Sequence, residues 1–378
     1  MRRVGLQRRD AVGAAVFLLA VGAVMFLPRF ISDFRAQQLA YVGIYFIALI
    51  GLNILTGFTG QISLGHGAFM AIGGYTTAIL ISDQGLAIGS HVFSGDMRDL
   101  WTIPLAGLVA GVAGFLFGFP ALRLTGLYLA LATFAVAVAT PAVIRKFEHF
   151  TGGGAGINLF ESPRLTGVSK TDPITFESTE GVDILGFHIA TFNEWLYYLS
   201  WTIALVLFAV AWFVLRGRVG RAFRAIRDSE LAAASAGVNL ARYKTLAFGI
   251  SAFYAGVAGS LLGIATTFVN PDTFPITLSI FLLVGVVVGG LGSLWPLVLG
   301  AVFIQFLPLW AQSLNDYLPS GLDLPSGLGR LDVPNFRAPG APAVVYGVVL
   351  ILVMLAFPGG AAGLVRRLRA LPALVRRR

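Results

Sequence analysis

The chain has no cysteine, which excludes disulfides, thiolate metal sites and thiol nucleophiles at the outset. Charge is scarce: Asp, Glu, Lys and Arg make up 12% of the residues, where soluble domains carry about a quarter. The apolar runs 37–56, 64–82, 101–121, 125–144, 195–215, 246–269, 278–290, 294–311 and 343–357 contain none of these four residues. Proton-driven carriers and voltage sensors place ionisable groups at such depths, so their absence argues against a carboxylate proton relay. There is no G-x-x-x-x-G-K-[ST] motif, hence no ATP-binding P-loop belonging to the chain itself. There is also no H-E-x-x-H and no pair of carboxylates within an apolar run, so a metal-assisted or acid–base hydrolase has no residues to stand on.

What is abundant points elsewhere. Of 378 residues, 57% are hydrophobic and 46 are glycine, and glycine lets membrane helices approach closely where no hydrophobic force drives them together. The runs are close to the length needed to cross about 30 Å of hydrocarbon. The start MRRVGLQRRD before an apolar stretch over 11–27 has the layout of a secretory signal, but Pro28 and Arg29 follow in place of a small-x-small cleavage pattern. The run is therefore expected to be a first span. The uncharged stretch 278–311 holds either one very long helix or two spans, and GGLGSLWP within it supplies the turn for two. The expectation is an all-α polytopic membrane protein forming one domain over 1–378, with about ten spans, some of them broken or short.

Lysine and arginine mark the side that stays in the cytoplasm. With both termini inside, that side holds Arg2, Arg3, Arg8, Arg9, Arg123, a cluster over about 216–244 and the tail Arg366 to Arg378. The other side holds the loops 83–99, about 146–194, 270–275 and 312–337, while only Asp10, Asp228 and Glu230 fall among the inner acids. An even number of spans is consistent with both ends inside. The net charge of +9 thus follows topology and anionic lipid rather than nucleic acid.

Three stretches stand out. In GLNILTGFTGQISLGHGAFMAIGGY, Gly57, Gly60, Gly65, Gly67, Gly73 and Gly74 surround Asn53, Thr56, Thr59, Gln61, Ser63 and His66. Non-helical backbone at membrane depth needs protein or a water-filled cavity to satisfy its polar groups. Half-helix dipoles aimed into such a cavity would meet a carboxylate without an arginine. Two readings stay open: a solute pathway lined by these groups, and a tight turn of small residues. FEHFTGGGAGI, over 147–157, reads as a backbone-defined turn opening the outer loop. The third stretch, 216–263, carries Arg216, Arg218, Arg221, Arg224 and Arg227, then Asp228 and Glu230, small residues, Gly237, and Asn239 opening a new helical pattern.

These pieces together resemble the branched-chain amino acid ABC importer permeases of LivM type. The matching stretches, in the family's order, are LNILTGFTGQISLGHGAFMAIGGYTTAIL, LRLTGLYLALATFAVA with Tyr128, TGGGAGI, GRAFRAIRDSELAAASAGVNLARYKTLAFGISAFYAGVAGSLLG and VVGGLGSLWPLVLGAVFI. The resemblance runs from about 51 to 304 and implies a single permease domain in the bacterial inner membrane. It implies a second permease subunit, two cytoplasmic ATPase subunits that bind ATP and Mg, and a periplasmic or lipid-anchored substrate-binding protein. The chain itself would hold no cofactor and catalyse no reaction. The resemblance also implies a coupling helix over about 224–239, seated in a cleft of the ATPase.

Arg224, Arg227, Asp228, Glu230, Ala233, Gly237 and Asn239 would carry that role. Asp228 and Glu230 would stand near the helix start, Ala232 to Ala236 would make it narrow, and Gly237 would turn the chain at its end. Leu231 interrupts the Glu-Ala-Ala start of the broader importer class. The segments 160–194 and 314–342, and Trp295–Pro296 after GGLGS, depart from the family's pattern. The same architecture serves urea and other small polar solutes in related systems. A self-sufficient channel, an ion-coupled carrier or an assembly subunit without a pathway is the rival from another class.

Overall fold

The computed structural model describes residues 26–81, 99–124, 126–159 and 191–317, with short pieces at 86–88, 91–93, 182–184, 187–189, 322–323 and 330–331 and scattered positions at 22, 24 and 347–363. Among these residues, six helices are long and apolar enough to cross a membrane, and two shorter apolar helices accompany them. Two of the ten expected spans, 11–27 and 343–357, lie mainly outside the described residues, as do most of 160–194 and 314–342.

In chain order the first helices are α1 (Asp33–Asn53), the shorter α2 (His66–Ile81), α3 (Asp99–Ala121), α4 (Leu127–Lys146) and α5 (Phe192–Arg216). Two short helices, α6 (Arg218–Asp228) and α7 (Glu230–Ser235), lead into α8 (Leu240–Thr266), α9 (Ile276–Gly289) and α10 (Leu297–Tyr317). Their boundaries follow local chemistry. Thr191 caps α5 by accepting from the Glu194 amide, and Asn239 caps α8 by accepting from the Arg242 amide at 3.0 Å. Each satisfies one of the amides that a helix start leaves without a partner. Short antiparallel strand pairs occur only in connections among the described residues, so the all-α expectation holds for the spans.

Helices α1 and α8 form the centre, with 83% of each apolar window buried, against 33% for α3 and 28% each for α4 and α5. The outer three therefore present wide apolar faces, including Leu108, Val112 and Leu116 on α3 and Val206 and Phe213 on α5. Surface of this kind is tolerated where lipid or another subunit covers it. Between α2 and α8 the backbones nearly touch: a Cβ on Gly259 would lie 1.9 Å from the Met70 carbonyl oxygen, and one on Gly73 would lie 2.1 Å from that of Gly256. Glycine at these crossings replaces side-chain bulk with backbone contact.

The connections sort into two ends. At one, Asp33 accepts from Thr191 and Asn193, Arg145 pairs with Asp272 at 3.0 Å, and Ile157–Asn158 pairs with Phe268–Val269. The glycine-rich turn before that strand takes left-handed geometry at Gly152, Gly153 and Gly156. At the other end, the α1–α2 connection, the α6–α7 segment and the α9–α10 turn meet.

Candidate functional site

At this second end α1 is broken. Its last turn widens to a π-helical segment over Ile54–Phe58, Gly60 takes φ +75°, and an extended connection reaches α2 at His66. The His66 Nε2–H donates to the Ala48 carbonyl at 3.0 Å. The His66 ring thus reaches α1 five residues before its last residue, Asn53, about one and a half turns back from that end. The connection runs back into the protein instead of leaving it.

All six polar residues of the break are buried: Asn53, Thr56, Thr59, Gln61, Ser63 and His66. Each is also hydrogen-bonded within the chain. Asn53 Nδ2 donates to the Ser293 carbonyl and Asn53 Oδ1 accepts from the Gly292 amide, both at 3.0 Å. Thr56 donates to the Gln61 carbonyl at 3.2 Å, Thr59 donates to the Leu55 carbonyl, and Gln61 Nε2 donates to Thr59 Oγ1 at 2.9 Å. Ser63 accepts from the Gly65 amide at 3.3 Å. Sparing backbone and side chain from unmet hydrogen bonds is what an irregular segment in an apolar interior requires. Tyr128, on α4, is 72% exposed and joins none of these bonds.

Neighbours that sequence reasoning did not single out complete the set. Thr133 on α4 accepts from the Leu64 amide, and Ser279 on α9 accepts from the Gly67 amide, both at 2.9 Å. Thr77 and Ser260 join α2 to α8 at 2.6 Å. Ser279 alone carried a signal, as the one hydroxyl in the run 278–290; the runs that hold Thr77, Thr133 and Ser260 contain other hydroxyls, and nothing local distinguishes these three. A cavity of about 550 Å³ lies at the opposite end, lined by Tyr41, Tyr45, Thr266, Asn270, Asp272, Thr277 and Phe281 among others. None of the seven pathway candidates lines it.

The basic stretch folds as an elbow on the broken end. Helix α6 is amphipathic, burying Gly220, Ala222, Phe223 and Ile226, and Phe223 meets the Tyr243 ring edge-on at 6.4 Å. Its arginines do more than anchor topology: Arg224 donates to the Leu215 carbonyl at 3.1 Å, and Arg227 to that of Gly57 at 2.6 Å. Arg216 lies over Trp212 at 4.3 Å, a cation–π contact.

The coupling helix expected over about 224–239 is split between two helices, the end of α6 and the whole of α7. Asp228 is the last residue of α6, and Ser229 starts α7 by accepting from the Ala232 amide at 3.3 Å. Asp228 therefore closes one helix where it was expected to open another. Ala233 is buried, whereas Leu231 is 80% exposed. At the far end Gly237 takes φ +83°, its amide donating to Ala234 at 2.9 Å while the Val238 amide donates to Ala233 at 3.0 Å. That is the Schellman arrangement, which needs a left-handed residue at the position after the cap. Lys244, grouped above with the cytoplasmic cations, is buried on the first turns of α8, where its Nζ donates to Glu230 Oε2 at 2.6 Å.

Among the described residues, eight apolar helices packed by glycine around a hydrogen-bonded break, with an amphipathic elbow across one end, make a polytopic membrane protein. A model of the family described as branched-chain amino acid transport system / permease component matches residues 35–357. The chain belongs to that family, as a permease of LivM type. It is 36% identical over 314 residues to the high-affinity branched-chain amino acid transport system permease protein LivM of Salmonella typhimurium, covering 80% of this chain and 68% of that protein. The LivM protein of Escherichia coli is 34% identical over the same shares. The LivH permease of Salmonella typhimurium is 24% identical over 329 residues, 84% of this chain and 91% of that one. No solved structure matches the chain.

Proposed function

We propose that this chain is one of the two membrane subunits of an ATP-driven importer for branched-chain or related amino acids. A second permease subunit, of the kind the LivH relatives represent, completes the pathway by covering apolar faces left on the outer helices. Two cytoplasmic ATPase subunits bind ATP with Mg and drive alternating access. A periplasmic or lipid-anchored binding protein delivers the solute at the end that carries Asp33, Arg145 and Asp272. The broken end, with α6 and α7, faces the cytoplasm of a bacterial inner membrane.

The observation that carries this reading is α7: six residues, capped at both ends, with Leu231 80% exposed at its tip and Ala233 turned inward. A short, sharply bounded helix with an exposed apolar tip suits insertion into a cleft of another protein, and its tie to α8 through Glu230 and Lys244 gives it a route into the membrane core. Loaded binding protein shifts the conformational equilibrium only through its differential affinity for the two states. It therefore raises ATP hydrolysis by the assembled complex.

The test is uptake of labelled leucine into proteoliposomes. With the second permease, both ATPases and loaded binding protein, uptake depends on ATP. Equal flux through this chain alone would replace the proposal with a channel or carrier.

A further inference from the structure

Three segments far apart in the sequence are tied at the broken end by two side chains. Arg227, on the last turn of α6, donates from Nη1 to the Gly57 carbonyl at 2.6 Å, across 170 residues. Asn53, one turn before Gly57, spans to the α9–α10 turn by donating to Ser293 and accepting from Gly292. The fit leaves no slack. A Cβ on Gly57 would sit 1.9 Å from Asn53 Oδ1 and 2.6 Å from the Gly292 amide nitrogen, and one on Gly292 would sit 2.7 Å from Arg227 Nη1.

We infer that Arg227 is a positioning residue that latches the coupling segment to the end of α1 and, through Asn53, to the α9–α10 turn. This rests on the importer reading above and names the route by which α6 and α7 act on the membrane core. The Gly57 carbonyl belongs to the π-helical end of α1, where helix carbonyls lack partners and the helix dipole leaves partial negative charge. A guanidinium suits that position because it carries several donors in a rigid plane and stays charged. With the latch closed, a push on α7 moves α6, the end of α1 and the α9–α10 turn as one piece. With it open, α6 swings without moving α1, and ATP hydrolysis no longer drives solute.

The experiment compares Arg227→Met, Arg227→Lys, Asn53→Leu and the double variant Arg227→Met/Asn53→Leu in the complete reconstituted transporter, with Arg123→Met as a control cation on another loop. The readout is solute transported per ATP hydrolysed. Arg227→Met should keep hydrolysis within about twofold of wild type while the ratio falls at least fivefold. Arg227→Lys, which retains the charge and N–H donors though not the rigid plane, should recover most of the ratio. The double variant should fall no further than the worse single one, as expected for residues acting as a unit.

Hydrogen exchange on the isolated chain gives a reading that does not depend on transport: Arg227→Met should speed exchange at 54–65 and 290–296 together. The latch is overturned if the ratio stays at the wild-type value, if Arg123→Met lowers it equally, or if exchange at those two segments is unchanged. Wild-type complexes that fail to couple uptake to ATP would contradict the importer reading instead, and the exchange result would still decide whether the latch exists.

Discussion

The Lys244 ammonium lies 2.6 Å from a Glu230 carboxylate oxygen, and the two partners differ in solvent access: the lysine side chain is 7% exposed and the glutamate 45%. The buried partner is the cation, on the core helix α8, and the accessible partner is the anion, on α7. Glu230 thus serves two ends at once, starting α7 near its positive pole and neutralising a lysine that has little water of its own.

Glu230→Gln should destabilise the chain by about 1–2 kcal/mol, the lower range for a hydrogen bond to a charged group, since Glu230 is partly solvated. Lys244→Met in the same chain should recover most of the loss, because it removes the stranded charge. Thermal unfolding of the purified proteins in detergent measures both. Additive losses would mean that the pair is not coupled.

Gly237→Ala should shorten or unravel the end of α7. No atom lies within 4 Å of an added Cβ, so the penalty is one of backbone alone, about 1 kcal/mol for a side chain held at φ +83°. Gly237→Asn, which tolerates left-handed geometry better, should retain more transport than Gly237→Ala. The bulkier Gly237→Trp should insert in the membrane yet fail to assemble or to transport. Membrane-fraction yield, complex purification and uptake separate these outcomes.

Gly259→Val should disturb the α2–α8 crossing, because its Cβ would lie 1.9 Å from the Met70 carbonyl. Overpacking of this kind costs about 1–3 kcal/mol or more. Size-exclusion profiles in detergent should show loss of the monodisperse peak, while Gly154→Ala, which meets nothing within 4 Å, should match the wild type.

The membrane core was largely legible in the sequence, because a span of neutral apolar residues has few other structural fates. The runs 246–269 and 195–215 sit inside α8 and α5, respectively, apart from the last three residues beyond α8. The glycines also pointed to close packing, though not to which helices meet. Locally encoded features were readable as well: Gly237 and Asn239 stand at helix ends by their own chemistry. Ser229 carried the same kind of signal for the start of α7, and weighing it would have placed Asp228 at the end of α6.

What could not be read depended on partners distant in sequence. Arg227 and Lys244 look like any cytoplasmic cations until the fold supplies the Gly57 carbonyl for one and Glu230 for the other. The polar residues of the break left two readings open from sequence. In the fold they are buried and hydrogen-bonded within the broken segment and to the α9–α10 turn, partners that the sequence does not name.

In the proposed importer, α7 is the contact through which ATPase subunits drive this permease. Because the chain has no cysteine, a single introduced thiol reports one position. Leu231→Cys, at the 80% exposed tip of α7, and Phe34→Cys, at the 63% exposed start of α1 on the opposite end, are to be labelled in the assembled transporter with a short thiol-directed photocrosslinker, whose light-activated arm inserts into whatever protein lies beside it. Contact through α7 gives an ATPase adduct at Leu231→Cys, altered by ATP binding, and none at Phe34→Cys. An ATPase adduct at Phe34→Cys and none at Leu231→Cys would contradict it.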